Sequence, residues 1–449
     1  MYGWANKILL LLVIFTLLLV GCQAPSGSTN VESDMAGLSE GDDDSGNDSV
    51  LRVRVDNYRN DQEKRLWAEV VARFEELHDD ITVELTTGDP SPDSGDIQTM
   101  LQSGVTPPDA LQMHAGPARV GLLSSAGHIV DLDEWYERNN WKDAMRPFAY
   151  EVTPIDGVRY EVPHTTDAIM VYYNKDIFEE HGLEVPETGE EFIKVMETLR
   201  DNDVPPIVVG GRTTFALGTL YSNIMEAVAG RDAVEDLIYG DTKWNDPEFV
   251  KVAETFLEWT EEGFIAKESP TLTSTDAKFA FLNKQSGMFV SVTHTISDIV
   301  DEDLEETVGT FAMPSFVEGK ESGPTGGIGY TWVVPKGAEN KEGAEKWFNF
   351  ILSKDFVEVV FNDPSYNLLP AATATEELQP VGELLQSAVK RTENGFGYNP
   401  SVFIGREAQE AYYQNITGIL AELVEPKEAM DNTEAGAEKD RDAGFSISK

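Results

Sequence analysis

The chain has 449 residues, 41% of them hydrophobic, enough to bury a large core and to make two or three domain-sized units. Lysine and arginine number 34 against 80 aspartate and glutamate, a formal charge of −46, which argues against a nucleic-acid or anionic-surface binder because phosphates would be repelled. Acidic residues are spread along the whole chain, as at 254–262 and 301–306, and read as a solvated surface suited to high salt, where screening weakens self-repulsion.

Lys7 precedes an apolar run over residues 8–20, broken only by Thr16. That is the length of a signal-peptide core and is short for a membrane span. The run ends at Leu19-Val20-Gly21-Cys22, and Cys22 is the single cysteine of the chain. Small residues before it resemble the lipobox of bacterial-type lipoproteins, which implies that the thiol is acylated and that residues 1–22 carry the signal. Each buried methylene adds about 0.8 kcal/mol, so two or more acyl chains hold a protein at a membrane where one does not. Without a second cysteine there is no disulfide framework, and core burial must supply the stability. Residues 23–49, rich in Ser, Gly, Asn and Asp with no Lys or Arg, read as a disordered acidic tether.

The folded body begins at Val50. Leu51, Val53 and Val55 alternate with Arg52 and Arg54 as in a strand; Leu66, Trp67, Val70, Val71, Phe74 and Leu77 then recur at helical spacing before a second strand over residues 81–85. Thr188 with Glu191 predicts a capping box opening a helix over Phe192, Val195, Met196 and Leu199, followed by the buried strand Ile207-Val208-Val209. Asp246-Pro247 opens a helix facing inward through Phe249, Val252, Ala253, Phe256 and Leu257 and stopped by Gly263. A strand over residues 331–334 precedes a helix carrying Ala344, Trp347, Phe348, Ile351 and Leu352. This alternation predicts an α/β protein with mainly parallel sheets. From Glu428 onward the chain reads as a surface helix or a frayed tail.

The machinery of an exported enzyme is sparse. There is no His-Glu-x-x-His, and residues 323–329, though glycine-rich, lack a phosphate-loop lysine and precede a strand. The 6 histidines show no metal-ligand spacing. No catalytic residue, metal or cofactor is assigned. Tyr172-Tyr173 and Tyr412-Tyr413 could suggest ferric-ion ligation but read as structural: alternation across a strand puts one tyrosine of the first pair into the core, and the second pair sits in a helical pattern.

Several stretches in fixed order resemble the extracellular solute-binding proteins of ATP-binding-cassette sugar importers, the family that includes the maltose-binding proteins. They are Tyr172-Tyr173-Asn174-Lys175-Asp176-Ile177-Phe178 with Gly182-Leu183 and Pro186; Phe281-Leu282-Asn283-Lys284 with Gly287-Met288-Phe289-Val290; and Gly326-Gly327 through Val334-Pro335-Lys336-Gly337 to Trp347-Phe348. Pro108-Asp109-Ala110-Leu111 and Leu368-Leu369-Pro370-Ala371 add weaker support. The resemblance implies a two-lobed type II periplasmic-binding-protein fold, with a ligand cleft between lobes joined by hinge crossings. The lobes would be residues 50–164 plus 313–352 and residues 165–312 plus 353–449. It further implies a non-enzymatic monomer at the outer face of the membrane, held there only by its lipid, that captures a mono- or oligosaccharide and passes it to the importer's permease.

A sugar presents many hydroxyls and apolar ring faces, so its site needs convergent polar groups and one or two aromatic plates. Asp167 falls where the family often places a hinge-side acid. Asn57 and Tyr58 after the first strand, and Gln112 and His114 after another, stand at carboxyl ends of strands, where open α/β sheets bind ligands. Where the family frequently has a tryptophan this chain has Thr293-His294, so the stacking plate becomes His294, Trp332, Tyr330 or Tyr366. Trp67, Trp259 and Trp347 sit on helix faces and read as core. A binder of another polar solute, a polyol or glycerol phosphate, and a secreted carbohydrate-active enzyme stay open as alternatives.

Overall fold

A computed structural model describes residues 49–447 apart from 93–94, 321–322 and 393–394; the leader, Cys22 and the tether up to residue 48 lie outside the described residues. The alternation at residues 51–55 becomes strand β1 (Ser49–Val55), with Leu51, Val53 and Val55 buried. Asn60 then caps the helix Asp61–Leu77 by accepting from the backbone N–H groups of Gln62 and Glu63, satisfying two of the four donors a helix start leaves open. That helix buries Leu66, Val70 and Phe74. The capping box at Thr188 and Glu191 is present and opens the helix Gly189–Asp201, and Asp246 precedes the helix Pro247–Glu261 with its proline in the first turn.

The strands that build the two main sheets continue as β2 (Ile81–Thr87), β3 (Ala110–His114), β4 (Val162–Pro163), β5 (Thr165–Asn174), β6 (Ile207–Val208), β7 (Met288–Val292), β8 (Val308–Phe311), β9 (Thr325–Ile328), β10 (Tyr330–Val333), β11 (Leu369–Pro370) and β12 (Gly397–Tyr398). The first sheet runs β2-β1-β3-β10-β4 and the second β12-β9-β5-β7-β6, with β8 and β11 also pairing with β5. Both are mixed rather than mainly parallel. β1 is parallel to β2 and β3, but β10 is antiparallel to β3 and β4, and β5 is antiparallel to β7, β8, β9 and β11. These antiparallel pairs join segments far apart in the chain, which local periodicity does not reveal.

The chain passes between the sheets three times. β4 ends at Pro163 and β5 starts at Thr165; β9 ends at Ile328 and β10 starts at Tyr330; after the helices Lys341–Ile351 and Lys354–Phe361, β11 returns to β5. Helix Lys354–Phe361 packs on Asp61–Leu77 of the first sheet's side, whereas the sequence-drawn boundary placed residues from 353 in the second lobe. Likewise β9, inside the 313–352 stretch assigned to the first lobe, pairs in the second sheet. The glycine-rich run at 323–329 thus contains a strand as well as preceding one.

The C-terminal segment departs from expectation. It is the helix Pro426–Asp442, packed on the helices Arg406–Leu420 and Pro247–Glu261 and burying Ala429, Met430, Thr433, Gly436 and Ala437. Small residues let the backbones approach; a Cβ at Gly436 would lie 2.7 Å from the Glu407 carbonyl oxygen. The side chain of Asp440 caps helix Arg406–Leu420 across this interface, accepting from the N–H groups of Glu407 (3.1 Å) and Ala408 (2.7 Å). Asp440→Ala is therefore expected to destabilise the protein by about 1–2 kcal/mol, measured as a lowered midpoint in denaturant unfolding; an unchanged midpoint would remove this cap from the stability account.

Candidate functional site

Between the two sheets lies a cavity of about 590 Å³. The carboxyl ends of the parallel strands β1 and β3 open onto it and deliver Asp56, Gln112 and His114; β5 delivers Asp167 and the end of β7 delivers His294. All three crossings contribute a lining side chain, His164 from the first, Tyr330 from the second and Tyr366 from the third. Phe215, Phe356, Gln409 and Tyr413 come from flanking helices. Polar ends of β-strands thus meet apolar and aromatic helix faces around one space, the composition of a small-molecule site.

The polar groups form an ordered chain. The Asp56 N–H donates to Gln112 Oε1 at 3.0 Å, and the Gln112 amide nitrogen sits 2.6 Å from His164 Nδ1. The Tyr330 hydroxyl donates to Asp56 Oδ2 at 2.7 Å, and the Asn57 N–H donates to Asp56 Oδ1 at 2.6 Å. Burial pushes the Asp56 carboxyl up, an effect these two hydrogen bonds oppose. Burial drives His164 down to about 3, so its imidazole is neutral. Its ring packs against Trp67, Trp332 and Phe356, with centroids 5.4–5.9 Å away.

Asp167 keeps part of its surface open to the cavity while protein surrounds the rest. Burial alone raises its carboxyl to about 6, and among the described residues its side chain has no hydrogen-bond partner. A Cβ at Gly329 would lie 2.8 Å from Asp167 Cγ and 2.7 Å from Thr165 Oγ1, so glycine is what allows the second crossing to lie against this acid. His294 is exposed to the cleft, yet the protein walls around it lower it to about 4, with Asp298 opposing the shift and Arg59, Lys278 and His114 adding to it.

Of the sequence-predicted site residues, Gln112, His114, Asp167, His294 and Tyr366 line this cavity together. Asn57 is exposed and Tyr58 half-buried against the core, and neither lines it. The strand ends at Val55 as the alternation predicts, but it is the next residue, Asp56, together with Arg59 that lines the cavity instead. Trp332 is 0% exposed, enclosed by Trp67, His164, Trp347 and Phe348; it lies behind the wall and cannot stack on a guest. Trp67 corrects the opposite error, because it is only partly buried and lines the cavity, while Trp259 and Trp347 are core. His164 was missed as a site residue. Its neighbours Thr165 and Thr166 are also fully buried, so alternation gave no signal there. Tyr413, read as structural, is a lining residue, and its neighbour Tyr412 is core. Among the described residues no group of three His, Cys, Asp or Glu could hold a metal ion, and no helix is long and apolar enough to cross a membrane.

Two α/β lobes joined by three crossings, with hydrogen-bonding groups and aromatic rings converging between them, define a cleft-type periplasmic-binding-protein fold. The comparisons place it more closely. Residues 60–358 match the family described as bacterial extracellular solute-binding protein, and the chain belongs to that family. It is 23% identical over 380 residues to an uncharacterized ABC transporter extracellular-binding protein of Pyrococcus horikoshii, covering 82% of each chain. It is also 23% identical over 395 residues to a maltooligosaccharide ABC transporter solute-binding lipoprotein of Streptococcus pneumoniae, covering 84% of each. Among solved structures, a chitin oligosaccharide binding protein superposes with a TM-score of 0.70 at 20% identity, over 87% of this chain and 99% of that one.

The raised Asp167 carboxyl has a consequence for the empty protein. The folded state holds the proton up to about pH 6, whereas the unfolded state releases it near 3.8. Ionisation above that window therefore costs stability, fully above pH 6 and not at all below 3.8. Asp167→Asn is expected to raise the melting temperature at pH 7.5 and to lose that advantage by about pH 4; equal melting at both pH values would refute the shift.

Proposed function

We propose that this protein is the substrate-binding lipoprotein of an ATP-binding-cassette importer and captures a mono- or oligosaccharide by closing its lobes, then delivers it to the permease. The observation that carries the reading is the cavity lining. Asp167, a carboxylate without a hydrogen-bond partner among the described residues, and the hydrogen-bonded set Asp56–Gln112–Tyr330 stand among Trp67, Phe215, Tyr366 and Tyr413. Hydroxyls satisfy the first group and ring faces the second, and a neutral polyhydroxylated solute supplies both. The name of the Streptococcus pneumoniae relative supports the same class of guest.

In this reading Asp167 accepts hydroxyl hydrogen bonds, Gln112, His114 and His294 add polar contacts, and Tyr330 and Tyr366 present ring faces. The lobes pivot at the crossings around 164, 329 and 362–368. A guest stabilises the closed form only by its greater affinity for it, which turns closure into a signal for the permease. Nothing in the lining calls for a reaction, and the solute leaves as it entered. In the same reading Cys22 carries the lipid and residues 23–49 the tether, and the body works as a monomer at the extracytoplasmic face of the membrane.

A thermal-shift panel of maltotriose, glucose, mannitol and glycerol 3-phosphate tests the guest class. A ligand at a hundredfold excess over its Kd adds about 2.7 kcal/mol, and the sugars are expected to shift the melting temperature where glycerol 3-phosphate does not. A shift by mannitol or glycerol 3-phosphate alone would replace the sugar reading. Since hydroxyls donate best to the ionised acid, calorimetric affinity for the binding sugar should be full at pH 7.5 and fall as pH drops through about 6. Disappearance of the sugar over hours of incubation would make the protein an enzyme. For the anchor, Cys22→Ser is expected to move the protein from the membrane fraction to the medium, and retention in the membrane would rule the lipid out.

A further inference from the structure

Two residues lining the cavity carry a buried polar atom with no partner among the described residues, His164 Nε2 and Tyr366 Oη. His164 is 1% exposed and Tyr366 8%. Buried polar groups are paired almost without exception, and one left alone in a native protein calls for an explanation. For His164 the pairing of the other ring nitrogen fixes what the lone one can do. Gln112 Oε1 must face the Asp56 N–H, which only donates, so the opposite end of the amide, its NH2, faces His164. Nδ1 then accepts at 2.6 Å, and the proton of the neutral imidazole resides on Nε2. The main chain of His164 is fixed as well: its N–H donates to the Tyr330 carbonyl at 2.9 Å and its carbonyl accepts from the Ala371 N–H at 2.9 Å. The ring therefore has one tautomer and one place, at the point where the crossings touch.

We propose that His164 is a specificity-determining residue that donates a hydrogen bond from Nε2 to an oxygen acceptor of the bound solute at the cleft floor, and that Gln112 is the positioning residue that sets its tautomer. This deepens the carbohydrate reading and rests on it. The acceptor chemistry it selects is a hydroxyl or ring oxygen. An ammonium or another obligate donor at that depth would meet an N–H and leave both unpaired.

The test combines 15N-histidine labelling of the whole chain with two pairs of variants. In the unliganded protein the His164 resonances should show a protonated Nε2 and a bare Nδ1, and the Nε2 signal should move when maltotriose or glucose, whichever raises the melting temperature, is added. His164→Gln, which keeps an N–H at the depth of Nε2, should retain affinity for that solute to within a few-fold. His164→Asn keeps only the acceptor nearer the backbone and should lose roughly tenfold or more. Gln112→Glu places a second acceptor against Nδ1, so the proton should move to Nδ1, read from the 15N shifts, and affinity fall; Gln112→Ala controls for lost packing. A proton on Nδ1 in the parent, or an Nε2 signal unmoved by a solute that does raise the melting temperature, would overturn the proposal. If neither sugar raises the melting temperature, the carbohydrate reading fails first and the His164 role falls with it, an outcome distinct from the other two.

Discussion

The structure depends on one short stretch of paired backbone where two crossings lie side by side. The Gly329 N–H donates to the Thr165 carbonyl at 3.0 Å, and the Tyr330 N–H donates to Thr165 Oγ1 at 2.9 Å. Thr165 and Thr166 pair on with Pro370 and Leu369 of the third crossing. Buried backbone groups must find partners, and here they find them in one another, so the segments that change sheets form a continuous ladder instead of three independent loops. Arg146 braces it from the side. Its guanidinium donates to Thr166 Oγ1 at 3.1 Å and to Thr392 Oγ1 at 2.8 Å, and it is itself buried.

Because the ladder is narrow, the side chains that leave it are brought together. His164, Tyr330, Asp167 and Tyr366 all issue from it or from the residues beside it, and all line the cavity. The hinge and the floor of the site are thus the same atoms. In the proposed function, a guest that fills hydrogen bonds at the floor acts on the residues about which the lobes would turn, which gives a small molecule leverage over a large motion. The low polarity that makes an unpaired group there costly also makes each satisfied contact count.

The elements that were legible in the sequence are those held by local chemistry. Asn60 apart, which no pattern singled out, the helix of Leu66, Val70 and Phe74, the Thr188–Glu191 box and the Asp246-Pro247 start follow from spacing alone. What the sequence hid was pairing at long range and burial on both faces. Thr331, Trp332 and Val333 are all fully enclosed, so no alternation marks which of them faces the cleft, and Trp332 looked like a plate while it is packing. The final helix hid for a different reason. Its inward face is alanine, glycine and threonine rather than leucine, and a face built for close approach carries little hydrophobic signal. At the site, the acids and amides near strand ends were found to within a residue; Asp56 rather than Asn57 turns inward because β1 stops at Val55.

The interleaving of the chain bears on when the molecule can be completed. The first sheet needs β10, at Tyr330–Val333, to join β3 to β4, and the second takes strands from Thr165 to Tyr398 and leans on a helix that ends at Asp442. Neither half is a continuous stretch, so a growing polypeptide holds no finished lobe until most of it has been synthesised. Contacts between such distant positions close slowly. A member of an extracellular family gains from that delay, since a chain that has not yet knit itself together is one that can still be threaded through a narrow channel end first.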